Sequence, residues 1–169
     1  MPTINGRACV VNGTPVDKVF SNGKIVYQRN LLLNTQSFDN NWVWDSIGHS
    51  FANGVLTLSS TGNSRMYQLV ASGNPNGKTL SVSFNAKISA DYNSQFVKVN
   101  VGPYDRTESI NIASKDFQLY KVENWQWISI SSVFSFYVIN GKVDISNLKL
   151  EYGSVATPWT PAPEDVGAK

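Results

Sequence analysis

From Lys78 to Ile88 the chain alternates without a break. Leu80, Val82, Phe84, Ala86 and Ile88 fall on one side; Thr79, Ser81, Ser83, Asn85 and Lys87 fall on the other. Only an extended strand repeats its side chains every second residue, so this segment buries one face of a sheet. No segment shows a sustained 3.6-residue period. GVLTLSS after Asn53-Gly54, RMYQLV, FVKVNV, SINIA, FQLYKV, WISI and FSFYVI before Asn140-Gly141 read as further strands parted by turn residues. About ten short strands without a helical pattern predict an all-β sandwich or barrel, with helix limited to one turn near Ala90 to Asn93.

The closing segment, DISNLKLEYGSVATPWTPAPED, shifts its alternation once. Val143 and Ile145 are in one phase, Leu148 and Leu150 in the other, so a bulge at Ser146 or Asn147 is expected to keep all four facing the core. Gly153 ends the strand. Pro158, Pro161 and Pro163 then force an extended tail, and Trp159, its one large apolar residue, is expected to fold back on the sandwich. NLLLNTQSFDNNW, Asn30 to Trp42, is the expected partner of this last strand. At the other end, VFSNGKIVY predicts a hairpin because Asn22 and Gly23 both tolerate the positive φ of a type I′ turn. Residues 1–29, with three Asn-Gly pairs, hold too few apolar residues to stand alone. They are expected to lie on the main domain, on a second subunit or on a larger particle.

The opening NLL with SFDNNW, the middle YQLV with GKTLSVSFNAK and the closing DISNLKLEYG together resemble carbohydrate-binding modules with a galactose-binding-like jelly roll. The ending KLEYGSVATPWTPAPED is similar, more narrowly, to the ends of tail and baseplate proteins of phages of lactic acid bacteria. The resemblance implies a jelly-roll β-sandwich of two antiparallel sheets preceded by a small N-terminal hairpin. It divides the chain into a docking segment (1–29), the binding module (30–153) and a Pro-rich tail (154–169). Implied with it are non-catalytic binding of host cell-wall or capsular polysaccharide, other tail or baseplate subunits as partners, and a place on the virion at the host surface. The alternatives are a purely structural tail protein and an appended domain of a wall-degrading glycoside hydrolase. The resemblance also implies a structural calcium between Asp39, just after Phe38, and Asp144 of the last strand, although such modules usually carry Glu after that Phe. Without metal, both aspartates would satisfy turn amides.

Composition narrows the partners. A chain of 169 residues suits one domain, and 41% hydrophobic with 15% charged residues is globular. A net charge of +2 with no basic run argues against nucleic acid and anionic membrane. No apolar run approaches a membrane span, and Met1 to Ile25 lacks the apolar core of a signal peptide. The one cysteine, Cys9, offers neither an internal disulfide nor a metal cluster. His49 is the only histidine. No nucleophile elbow, phosphate loop or zinc spacing appears, so the chain does not read as an enzyme.

Aromatic residues, 12% of the chain, are the informative class. Sugars present C–H faces to flat rings and hydroxyls to polar neighbours. Trp125 and Trp127, two apart on one strand face, are either core or a stacking platform. Tyr104 and Arg106 lie in the GPYDRTES connection, where loops over a rigid scaffold carry binding residues. Tyr67, beside Gln68, occupies a position that can face the ligand in the modules this chain resembles, and Trp44 completes the expected ligand-binding set. Trp42 is expected in the core.

Overall fold

The computed structural model describes residues 9–167. Two small hairpins come first: β1 (Val10–Val11) with β2 (Thr14–Pro15), then β3 (Lys18–Ser21) with β4 (Lys24–Gln28). Asn22 and Gly23, at φ 49° and 74°, form the expected left-handed pair at the second tip. The Asn5-Gly6 pair lies outside the described residues. Eight strands follow: β5 (Val43–Asp45), β6 (Gly48–Ala52), β7 (Val55–Leu69), β8 (Thr79–Ile88), β9 (Val97–Pro103), β10 (Glu108–Ile112), β11 (Gln118–Gln126) and β12 (Val133–Tyr152). All pairings are antiparallel.

Two long strands, β7 and β12, run through both layers. The first half of β12 pairs with β7 and β9, giving a first layer in the order β10-β9-β12-β7-β5. Its second half pairs with β7 and β8, giving a second layer β11-β8-β12-β7-β6. Phe84 of the second layer meets Phe136 of the first edge-on, ring centres 5.2 Å apart, so the inner faces interdigitate. The fold is the all-β jelly-roll sandwich with a small N-terminal hairpin.

Several expected strand boundaries move. GVLTLSS and RMYQLV form one strand, and so do FSFYVI and the closing segment, because Asn140-Gly141 is a bulge rather than a hairpin tip. Asn140 takes φ 45°, while Gly141 packs so closely on the Val97 side chain that any Cβ there would clash. The bulge expected at Ser146 or Asn147 is present: the β12–β8 register shifts between Ser146 and Lys149, and Asn147 takes φ 55°. WISI is a connection, and His49 lies in β6. Ala90 to Asn93 holds a turn, and the one short helix among the described residues is a 3-10 turn at Pro163–Val166 in the tail. No helix among the described residues is long and apolar enough to cross a membrane.

The segment Asn30 to Trp42 is not a strand. Three consecutive leucines are drawn inward at its start, Leu31 and Leu32 fully buried, and the backbone gains only one sheet-like bond to the last strand, from Leu31 N–H to Leu150 O at 2.8 Å. Asn30 makes the junction instead. Its buried amide donates to Thr35 Oγ1, Leu148 O and Thr160 O, and its oxygen accepts from the N–H groups of Leu32 and Leu150. One side chain thus ties the opening, the last strand and the tail. An Asn30→Leu variant would keep the volume and orphan these partners, so we expect a loss of about 2–3 kcal/mol in denaturant unfolding. Unchanged stability would mean that solvent satisfies them.

The tail returns over the outer face of the second layer. Lys149 and Glu151, both buried, pair at 3.3 Å. Lys149 Nζ donates to Thr157 Oγ1 (2.8 Å) and Pro158 O (2.9 Å), while Glu151 accepts from Thr157 N–H and Oγ1–H. Tyr27 and Gln28 of β4 close over this cluster, Gln28 N–H reaching Thr157 Oγ1 at 3.3 Å. Trp159 folds back as expected, its indole N–H bonded to Thr35 Oγ1 at 3.3 Å.

Candidate functional site: the open face of the first layer

The outward side chains of the first layer form a cross-strand row. Asp45 lies opposite Arg65, Arg65 opposite Tyr137, Tyr137 opposite Asn100, and Asn100 opposite Ser109. Alternation places this row outward because Met66, Phe136, Val99 and Val101, next to its members along the strands, are buried. Tyr67 projects from the same face, two residues beyond Arg65 on β7. Five strands therefore fix a polar and aromatic surface on rigid backbone.

Arg65 is its centre. Its guanidinium carbon sits 4.5 Å from the centre of the Tyr67 ring, 4.4 Å from that of Tyr104 and 5.7 Å from that of Tyr137. Nε donates to Asp45 Oδ2 at 3.2 Å and a terminal nitrogen to the Tyr137 hydroxyl at 3.3 Å. Burial opposes the charge, but the Tyr137 hydroxyl and the Asp45 carboxylate outweigh it, and the guanidinium is held more firmly protonated than usual. Three rings are thereby oriented around one fixed cation. Tyr104, 57% exposed, offers most of its ring to solvent. Across the row, the Asn100 amide oxygen accepts from Ser109 at 2.9 Å, leaving its NH2 group for an external acceptor.

At the Tyr67 end the face opens into a cleft of about 650 Å³. Val43, Tyr67, Leu69, Asn40, Asn41 and Val133 line it. A surface with flat rings, amides, one ion pair and an adjoining cleft suits an extended ligand rich in hydroxyl groups and C–H faces.

The expected site residues divide. Tyr67 and Tyr104 meet through Arg65. Arg106 is exposed in the same connection as Tyr104. Trp125 and Trp127 are not a platform: they are 8% and 0% exposed, packed on each other at 5.6 Å in the core. The reason is the β11 bulge after Val122, which turns their shared face inward against Gly102. Gly102 can take no side chain there, because a Cβ would overlap the Trp125 ring. Trp44 is half-buried beneath His49, the two rings stacked at 3.8 Å, so its face is covered. Trp42 is buried with its indole N–H on Leu33 O, as expected of a core residue.

Asp39 and Asp144, the residues expected to hold a calcium, both have partners within the chain. Asp144 accepts from Thr57 and Ser89 hydroxyls and pairs with Lys87 at 3.5 Å, whereas Asp39 accepts from Ser37. Lys87 supplies a positive charge beside Asp144, and no cluster of three or more His, Cys, Asp or Glu side chains that could hold a metal occurs among the described residues.

Arg65, Asp45, Asn100 and Tyr137 escaped sequence reasoning. Period-two spacing from Tyr67 does put Arg65 on its face, but joining it to Tyr137 and Asn100 requires the register of three strands.

No family model and no curated protein matches the chain. Among solved structures it is similar to a mutant of a family 29 carbohydrate-binding module, with TM-score 0.52 and 16% identity over 74% of this chain and 84% of that one. A second mutant of a family 29 module gives TM-score 0.52 and 16% identity over 74% and 90%. A third, complexed with mannohexaose, gives 0.50 and 15% over 75% and 91%. At such identities the likeness is one of fold: the chain shares the β-sandwich of carbohydrate-binding modules.

Proposed function

We propose that the open face of the first layer binds a saccharide chain without catalysis, as an accessory binding module. The Tyr67, Tyr104 and Tyr137 rings held around the Arg65–Asp45 pair carry this reading. Rings would take the C–H faces of successive sugars, while Asn100, Asp45 and Arg65 take hydroxyls. That a module of the same fold is complexed with mannohexaose supports the ligand class. On this reading the ligand is bacterial cell-wall or capsular polysaccharide and the chain belongs to a phage tail or baseplate, where many copies turn weak binding into adhesion. That placement rests on the resemblance of the KLEYGSVATPWTPAPED ending. The first hairpins, with Val11 and Phe20 each 61% exposed, would face neighbouring subunits.

Affinity electrophoresis of the intact chain in gels cast with wall polysaccharides and soluble neutral glycans tests it. Retardation is expected, with Tyr67→Ala weakening it by about 1–2 kcal/mol, roughly 5- to 30-fold, at unchanged melting temperature. Salt should have little effect, because rings and hydroxyls rather than net charge hold the ligand. No retardation by any polymer would favour a purely structural role.

A further inference from the structure

The opposite side of the sandwich carries a second arrangement of the same chemical kind, independent of the open face. Where the tail lies along the second layer it leaves a pocket of about 290 Å³. Ser83 and Asn85 of β8, Leu119 and Lys121 of β11, Asn147 of β12 and Trp159 of the tail line it. At roughly 30 Å³ per water this is room for about ten waters, the scale of one pyranose unit.

Each wall has a structural cause. Trp159 is pinned by its indole N–H on Thr35, leaving the ring along the pocket. The bulge between Ser146 and Lys149 puts Asn147 at φ 55° and turns its amide outward. Glu123 accepts from Ala156 N–H at 2.9 Å and pairs with Lys121 at 3.6 Å, fixing the rim where the tail leaves the sheet. On the floor, Ser83 is only 4% exposed, and it lines the pocket. Asn85 is half-buried and Asn147 exposed, both lining the same pocket. A serine hydroxyl and two amides converging beside an indole are what a ligand with several hydroxyls and an apolar face would engage.

We propose that this pocket is a second saccharide site, taking a single pyranose unit with its C–H face on Trp159 and its hydroxyls on Ser83, Asn85 and Asn147. Lys121 donates to a further hydroxyl at the mouth. Sites on opposite faces make each chain bivalent, so one chain bridges two glycan strands or two points on one surface.

The test is a two-dimensional ¹H–¹⁵N NMR titration of the full chain with methyl glucopyranoside, methyl mannopyranoside, methyl galactopyranoside, N-acetylglucosamine and rhamnose. At least one probe is expected to move the Trp159 indole signal together with the side-chain amides of Asn85 and Asn147. A double variant, Asn85→Ala with Asn147→Gly, keeps the positive φ and should weaken that response at least tenfold while retaining the dispersed spectrum. Tyr67→Ala, which disables the open face, should leave it intact, so the two sites fail separately. Absence of any shift at Trp159 with all five probes, or an undiminished response in the double variant, would overturn the proposal.

Discussion

Lys149→Met is expected to destabilise the protein by about 3–5 kcal/mol, because it strands the Glu151 carboxylate in a dry seam. The ammonium it removes also donates to Thr157 and Pro158, so the tail loses its anchor together with the charge pair. Adding Glu151→Gln should recover part of the loss: the amide oxygen still accepts from Thr157 N–H, its NH2 donates to Thr157 Oγ1, and no buried charge remains. Burial pushes Glu151 above the usual carboxylate range, while Lys149 pulls it back. Burial also pushes Lys149 below the usual lysine range, opposed by Glu151. A carboxyl group with a raised folded-state pKa contributes stability below its unfolded pKa and loses it as pH rises through the folded value. Without Lys149 that value rises further, so the gap between wild type and Lys149→Met should narrow as pH falls from about 7 to about 5. Denaturant unfolding at several pH values reads both effects. A double variant less stable than the single one would show that the stranded carboxylate is not what Lys149→Met costs.

Trp127→Ala is expected to cost about 3–5 kcal/mol, since it empties a fully buried indole site and removes the bond from its N–H to Ser131 O at 3.1 Å. Trp125→Ala should fall in the same range, because Gly102 cannot fill the space above it. Melting temperature and glycan binding measured on the same proteins separate packing from recognition. Loss of binding at unchanged stability would return these two residues to the stacking platform, one of the two roles their spacing allowed.

The sandwich was legible because alternation at Leu80 to Ile88 reports directly on one buried face. The last strand's bulge was legible too, since Val143, Ile145, Leu148 and Leu150 cannot share a side without it. What misled was chemistry common to turns and bulges: Asn140-Gly141 has the residues of a hairpin tip, yet Val97 crowds Gly141 and the strand continues. Trp125 and Trp127 were placed on one face correctly, but which face depended on a bulge between Val122 and Trp125, where Asn124 takes φ 54°. The ends make the same point. KLEYG and ATPWTP are joined through Lys149, Glu151 and Thr157, and NLL enters through Asn30, so these motifs fasten the tail to the sandwich. The open face was half visible. Tyr67 and Tyr104 were marked by type and position, but Arg65, Tyr137 and Asn100 converge only once β7, β12 and β9 are in register.

A crystal structure of the chain with a hexasaccharide that retards it in affinity gels tests the central claim most directly. The account predicts sugar rings lying over Tyr67 and Tyr104, with hydroxyls bonded to Asn100 and the Arg65–Asp45 pair and the chain running toward the cleft beside Val43. A bound saccharide that leaves this face empty, or a face closed by the same surface of a second copy in solution, would contradict it.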